Sequence, residues 1–198
     1  MKITHPVILA SESPRRKEIL VNTGFNIKTV PPAICEETLN KELSSTFLAP
    51  ELIAQSLASA KAVSVSKDFP GKIIIGADTI VVIDNQILGK PKNMEEASLF
   101  LHQLSGKTHQ VITGFCIVYN DERISGFEIS KIMVKPLTED DIREYIQIEN
   151  VFDAAGAYKI QGFFSLYVEK IEGCWNNIVG LPVSRIYDEI KKLHREPE

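Results

Sequence analysis

Residues 11–17 read SESPRRK, a run that joins a helix start to three successive cations. Ser13 is a favoured N-cap and Pro14 a favoured first helical residue, so Arg15, Arg16 and Lys17 fall in or just past the first turn. The helix dipole disfavours cations there by roughly 0.3–1 kcal/mol each near the surface. That end of a helix also offers free N–H groups, and arginines offer bidentate forks. Together they suit a polyphosphate. A solvated basic helix start is the alternative for this segment, and the residues alone weigh the two evenly.

A second chemical segment is IGADTIVVIDNQILGKP at 75–91. Asp78 follows an apolar strand, at the strand end where α/β sheets place ligands. A carboxylate there can hold a divalent cation or take a proton from water. Gly89-Lys90-Pro91 brings a lysine back after a hairpin. Read singly, Asp78 is a turn residue and Lys90 a surface charge. Cys35-Glu36-Glu37 places paired acids in a loop, usually a solvent-facing arrangement, yet a magnesium site built from one or two carboxylates plus substrate phosphates needs such a residue. Lys61 continues the row Ile53, Leu57, Lys61, so its stem lies beside a buried face, as a snorkelling lysine also would. Gln161, within DAAGAYKIQGFF at 153–164, carries the amide donor and acceptor that suit a nucleobase edge.

The elements that position these groups alternate early in the chain. A buried strand at 6–10 leads to a helix at 14–23 stopped by Gly24. A second helix spans 50–66, with Ile53, Leu57 and Ala60 on one face. A strand at 72–77 ends at Asp78, and 79–83 with 86–88 form a hairpin turned at Asp84-Asn85. A helix at 94–104 closes at Ser105-Gly106. Strands at 108–119 and 124–134 flank Asn120-Asp121-Glu122. Thr138–Asp141 resembles a capping box opening a helix to 149. Strands are expected at 163–171 and 175–179, and Pro182 starts a C-terminal helix. The pattern implies an α/β fold with a mixed sheet.

The chain has 198 residues, 44% hydrophobic and 24% charged, with a formal net charge of −4. These proportions fit a globular domain and argue against wrapping duplex nucleic acid by bulk charge. Three cysteines without a CxxC spacing and four scattered histidines, His5, His102, His109 and His194, argue against a disulfide framework or a structural zinc site. No apolar run has signal-peptide or membrane-spanning length, so the cytoplasm is the expected location, with no membrane partner. The tail HREPE at 194–198 is expected to fray.

Six segments taken together resemble the Maf family of nucleotide pyrophosphatases. They are Leu9-Ala10-Ser11 with Ser13-Pro14-Arg15-Arg16; Gly76-Ala77-Asp78-Thr79; Gly89-Lys90-Pro91; Leu104-Ser105-Gly106-Lys107-Thr108-His109; Ala155-Gly156-Ala157-Tyr158 with Ile160-Gln161-Gly162; and Val179-Gly180-Leu181-Pro182. They stand in family order across nearly the whole chain. The resemblance implies one Maf-like domain over 1–198, with the ITPase-like (Maf/Ham1-type) α/β fold: an elongated mixed sheet flanked by helices, two lobes around a cleft.

The GADT and AGAY-x-IQG segments resemble the branch that hydrolyses dTTP and UTP to the monophosphate and pyrophosphate with Mg2+ or Mn2+. By that resemblance Asp78 is the proton acceptor and, with Glu36, a metal-site carboxylate. Glu36, Lys61 and Lys90 join Asp78 as catalytic groups, Arg16, Lys61 and Lys90 hold phosphates, and Ser11 and Ser13 lie in the substrate site. Arg15, Thr79 and Gln161 match positions that distinguish pyrimidine substrates. A homodimer is also implied. Some positions depart from the family pattern: Lys159 stands where glycine is usual, Asn93 where aspartate is, Ala154 where lysine is, Gly114-Phe115-Cys116 replaces a small-residue strand, and Cys174-Trp175 replaces Asp-Tyr or Ser-Tyr. The 7-methyl-GTP branch of the same family is the alternative substrate reading. A non-catalytic nucleotide-binding regulator of cell division is the alternative of a different class.

Overall fold

The computed structural model describes residues 6–46 and 48–193. The 194–198 tail, with His5 and His194, lies outside them. Two compact units emerge from the described parts of Met1–Asp78, Thr113–Glu128 and Gly180–Glu198, and from Thr79–Ile112 with Ile129–Val179. A seven-stranded mixed sheet supplies strands to both.

In the first unit, β1 (Val7–Ala10) is buried throughout and feeds α1 (Pro14–Asn22), which Thr23 ends ahead of Gly24 at φ +84°. The short β2 (Ile27–Thr29) and the first half of β3 (Ile73–Ile83) both pair with β1 in parallel. Between them stand α2 (Glu36–Ser44) and α3 (Pro50–Ser66). Helix α3 buries Ile53, Ala54, Leu57, Ala58, Lys61, Ala62 and Val65. Its small residues let it lie close to the sheet. A Cβ placed on Gly76 would stand 2.3 Å from the Ala58 carbonyl oxygen, and one on Gly114 would stand 2.3 Å from that of Ala54. The core beneath holds Ile8, Ala10, Ala58, Ala62, Val65, Ile74, Cys116 and Val118.

The second unit holds the rest of β3, β4 (Gln86–Leu88) and α4 (Met94–Leu104). It also takes the first part of β5 (Thr108–Tyr119) and the last part of β6 (Glu122–Val134). Next come α5 (Glu139–Ile148), β7 (Val168–Glu172) and the short α6 (Trp175–Val179). Asp84 and Asn85 both take positive φ, as the two-residue hairpin turn between antiparallel β3 and β4 requires. Thr138 and Asp141 form the expected capping box. Strand order across the sheet is β2-β1-β3-β5-β6-β7, with β4 on β3. Returning to the first unit, α7 (Val183–Leu193) ends the described chain.

Several expectations are corrected. Strand β3 runs unbroken through Asp78, so that residue lies mid-strand; its carboxylate has a cationic partner there, which offsets the low strand propensity of aspartate. Glu36 and Glu37 open a helix rather than lie in a loop; their charges suit its positive end, and Glu37 pairs with Lys41 one turn on. Ala60 is only half-buried, because the packed stripe passes through Ala54, Ala58 and Ala62 instead. The 163–171 run is not one strand. Phe163–Tyr167 forms a 3-10 turn in which Phe164 packs on Tyr145 and Tyr158, and only Val168–Glu172 is extended. Residues 175–179 are helical, not a strand. Asn177 is buried there and donates to the Val111 carbonyl and to Ser130 Oγ. Helix α7 begins at Val183, one residue after Pro182.

Candidate active site

The candidate site in the first unit is built where β1 and β3 lie side by side. Their parallel register pairs Ala10 with Gly76, so Ser11 just beyond β1 comes level with the part of β3 that leads into Asp78. Side chains alternate along a strand, so Gly76 and Asp78 face the same side, the side on which α3 packs. Because Gly76 has no Cβ, α3 approaches closely enough for Lys61 Nζ to donate to Asp78 Oδ1 at 2.6 Å. The same ammonium lies 2.9 Å from Glu36 Oε2, at the start of α2. Lys61 is buried and Asp78 nearly so, while half of the Glu36 side chain meets solvent. One cation thus bridges two carboxylates from separate elements.

Arg16 stands beside this trio. Its guanidinium is buried, donates from Nε to the Gly180 carbonyl at 2.8 Å and lies 3.4 Å from Ser11 Oγ through Nη1. Burial pushes the Arg16 pKa down from its ordinary value; the charges of Asp78 and then Glu36 oppose that shift, and Arg15 adds to it. Ser11 Oγ also accepts from the Ser13 backbone N–H, and Ser13 Oγ caps α1 by accepting from the Arg16 N–H. The SESPRR run therefore folds as a capped helix start whose second cation is buried and whose first, Arg15, is half-buried. A buried arginine held by a carbonyl and a hydroxyl, with two carboxylates acting on it, is a fixed positive feature of the site.

The other residues singled out belong to the second unit. Thr79 follows Asp78 on β3 and is half-buried. Lys90 is exposed after β4, next to Gly89, whose carbonyl accepts from Gly156 N–H at 3.0 Å. Gln161 is exposed between buried Ile160 and Gly162. The structure thus brings Ser11, Ser13, Arg16, Glu36, Lys61 and Asp78 together within one unit, and sets Thr79, Lys90 and Gln161 in the other.

Two glycines named above only as motif residues turn out to shape the site. The Gly180 carbonyl anchors Arg16 from a point 164 residues away, a separation no local pattern exposes. Gly76 acts as a spacer under α3. Its signal was legible, since an isolated glycine inside an apolar strand marks a close backbone approach.

Chemically, Asp78 and Glu36 are hard oxygen donors close enough to share one nitrogen. Among the described residues no group of three or more His, Cys, Asp or Glu side chains is placed to hold a metal ion. A two-carboxylate set fits Mg2+ or Mn2+ only when substrate oxygens complete the shell. No helix among the described residues is long and apolar enough to cross a membrane.

Residues 6–193 match the family model described as Maf-like protein. A dTTP/UTP pyrophosphatase of Lachnoclostridium phytofermentans is 45% identical over 195 residues, covering 96% of this chain and 95% of the relative. One from Pyrococcus abyssi is 45% identical over 185 residues, covering 93% and 95%. A solved nucleoside-triphosphatase (dITP/XTP pyrophosphatase) of Mycobacterium abscessus aligns with TM-score 0.38 at 16% identity, covering 65% of this chain and 72% of that one. With a family model matched over nearly its whole length and such relatives beside it, the chain belongs to the Maf-like protein family.

Proposed function

We propose that this protein hydrolyses dTTP and UTP to the nucleoside monophosphate and pyrophosphate. The observation that carries the chemistry is the bridge from Lys61 to both Asp78 and Glu36, beside buried Arg16. The activity carried by the relatives in their names supports the substrate class.

In this reading water attacks the α-phosphorus, and the bond from that phosphorus to the α,β-bridging oxygen breaks. Asp78 receives the proton lost by water. Lys61 keeps the Asp78 carboxylate oriented through Oδ1, and its charge, with that of Arg16, opposes the negative charge growing on the phosphates. Ser11 and Ser13 set the backbone at the start of α1 within the substrate site, and Arg15 is assigned to pyrimidine selection. Lys90 is assigned to phosphate, and Thr79 and Gln161 to the base. A divalent cation, Mg2+ or Mn2+, held by Asp78, Glu36 and substrate oxygens, would supply further charge neutralisation. Assembly as a homodimer in the cytoplasm completes the reading, and sedimentation of the purified chain tests the dimer.

The test is turnover in 18O-labelled water with dTTP, UTP, CTP, GTP and 7-methyl-GTP. The expected result is label in dTMP and UMP with unlabelled pyrophosphate, and faster cleavage of dTTP and UTP. Label in pyrophosphate refutes attack at the α-phosphorus. Preference for 7-methyl-GTP refutes the substrate assignment.

A further inference from the structure

The segment carrying Gln161 is fastened to the end of α5 at several points. Tyr145, on α5 and only 1% exposed, accepts a hydrogen bond from the Lys159 backbone N–H through its hydroxyl at 3.0 Å. Glu149, the residue that ends α5, has its Oε2 3.9 Å from Lys159 Nζ. On its other side, Glu149 Oε1 lies 2.9 Å from where a Cβ on Gly162 would stand. Asp153 Oδ1 lies 3.1 Å from the same ammonium, within ion-pair distance.

These contacts bracket Gln161. Lys159 and Gly162 lie against one carboxylate, that of Glu149, and Ile160 is buried between them. Gly162 sits at φ +82° and ψ −144°, a backbone state near the one reserved for glycine, so the chain direction on the far side of Gln161 is fixed as well. An exposed glutamine between a buried isoleucine and a constrained glycine has little freedom to change the face it presents. Lys159 carries the positive charge of this arrangement, opposite Glu149 and Asp153. Its side chain is only 19% exposed, so the ion pairs are screened less than surface pairs.

We infer that Lys159, clamped by Glu149 and Asp153, is a positioning residue that fixes Gln161 and thereby sets selectivity for the pyrimidine base. The inference rests on the proposed function and on the base-reading role of Gln161 within it. Loss of the ammonium leaves Glu149 and Asp153 without their shared cation, so the 159–162 segment loses its side-chain tether while the Tyr145 hydrogen bond remains. Base selectivity then falls, whereas the Lys61, Asp78, Glu36 and Arg16 cluster, which lies in the other unit and has no part in the clamp, continues its chemistry.

The experiment compares Lys159→Met, Lys159→Arg, Asp153→Asn and Gln161→Ala. kcat and KM are measured for dTTP, UTP, CTP and GTP, and melting temperature for each variant. Lys159→Met is expected to lower the dTTP-to-CTP ratio of kcat/KM by roughly tenfold, mainly through KM for dTTP, a scale typical of a misplaced recognition group. Lys159→Arg should restore the ratio, and Asp153→Asn should reproduce part of the loss even if Lys159→Met is poorly folded. If Gln161→Ala loses selectivity while Lys159→Met and Asp153→Asn both keep it, the clamp is overturned and the base reading stands. If Gln161→Ala keeps full selectivity, both fail. An equal fall in kcat on every substrate in Lys159→Met, unrescued by arginine, also overturns the clamp.

Discussion

Replacing Gly76 with alanine tests how the sheet and α3 together create the site. The added Cβ would stand 2.3 Å from the Ala58 carbonyl oxygen, 2.7 Å from the Ala62 nitrogen and 2.9 Å from the Ala62 Cβ. Ordinary carbon contacts lie near 3.5–4.0 Å, so α3 must retreat by about 1 Å or more. All three neighbours belong to one helix and two are backbone, so no side-chain rotation relieves the clash. Overpacking of this kind costs about 1–3 kcal/mol. The same retreat carries Lys61, whose bond to Asp78 is 2.6 Å, beyond hydrogen-bonding distance. Urea unfolding should show a lower midpoint with an unchanged slope, and pyrophosphate release should fall by roughly 10- to 100-fold in kcat/KM. Gly71→Ala is the control. Its Cβ meets nothing within 4 Å, but its φ of +70° predicts a loss of about 1 kcal/mol with full activity. A Gly76→Ala protein with native midpoint and turnover would refute the claim that close helix approach places Lys61.

His109 is buried, with Nε2 2.7 Å from the Tyr158 hydroxyl, and burial pushes its pKa down to about 4. The fold therefore prefers the neutral ring, and its stabilisation is full above about pH 6.5 and lost as pH falls through about 4. That contribution is about 3 kcal/mol, read as the extra pH dependence of unfolding in the wild type relative to His109→Gln. A His109 NMR titration midpoint near 6.5 would contradict it. Thr138→Ala removes the side chain that caps α5 and should cost about 1 kcal/mol in urea unfolding without changing turnover. No change in the midpoint would show the cap to be dispensable.

Much of the fold was legible in sequence because strong local signals agree with the tertiary arrangement. Helix α3 begins at its proline, α4 stops before Ser105-Gly106, and the capping box of α5 is where its residue types place it. What escaped was decided at a distance. Asp78 reads as a strand terminator until Lys61 is seen across from it. The 163–167 aromatics read as a strand because period and composition are strand-like, but they fold into a turn around the Tyr145 and Tyr158 rings. Helix α2 went unread although acids in its first turn and Lys41 in its last were visible. Among site residues, Asp78 and Lys61 were found as separate candidates. Their meeting, and the anchoring of Arg16 by Gly180, depend on chain pairing that spacing does not encode.

In the proposed function Asp78 accepts the proton from water as pyrimidine triphosphates are hydrolysed. Asp78→Asn keeps the size of the side chain and an oxygen that accepts from Lys61, so its melting temperature should stay close to the wild type. The most direct measurement is pyrophosphate release from dTTP and UTP by wild type and Asp78→Asn at equal Mg2+. The expected result is a loss of roughly 100- to 10,000-fold in kcat, the range of a general base; wild-type rates in the folded Asp78→Asn protein would rule out that role for Asp78.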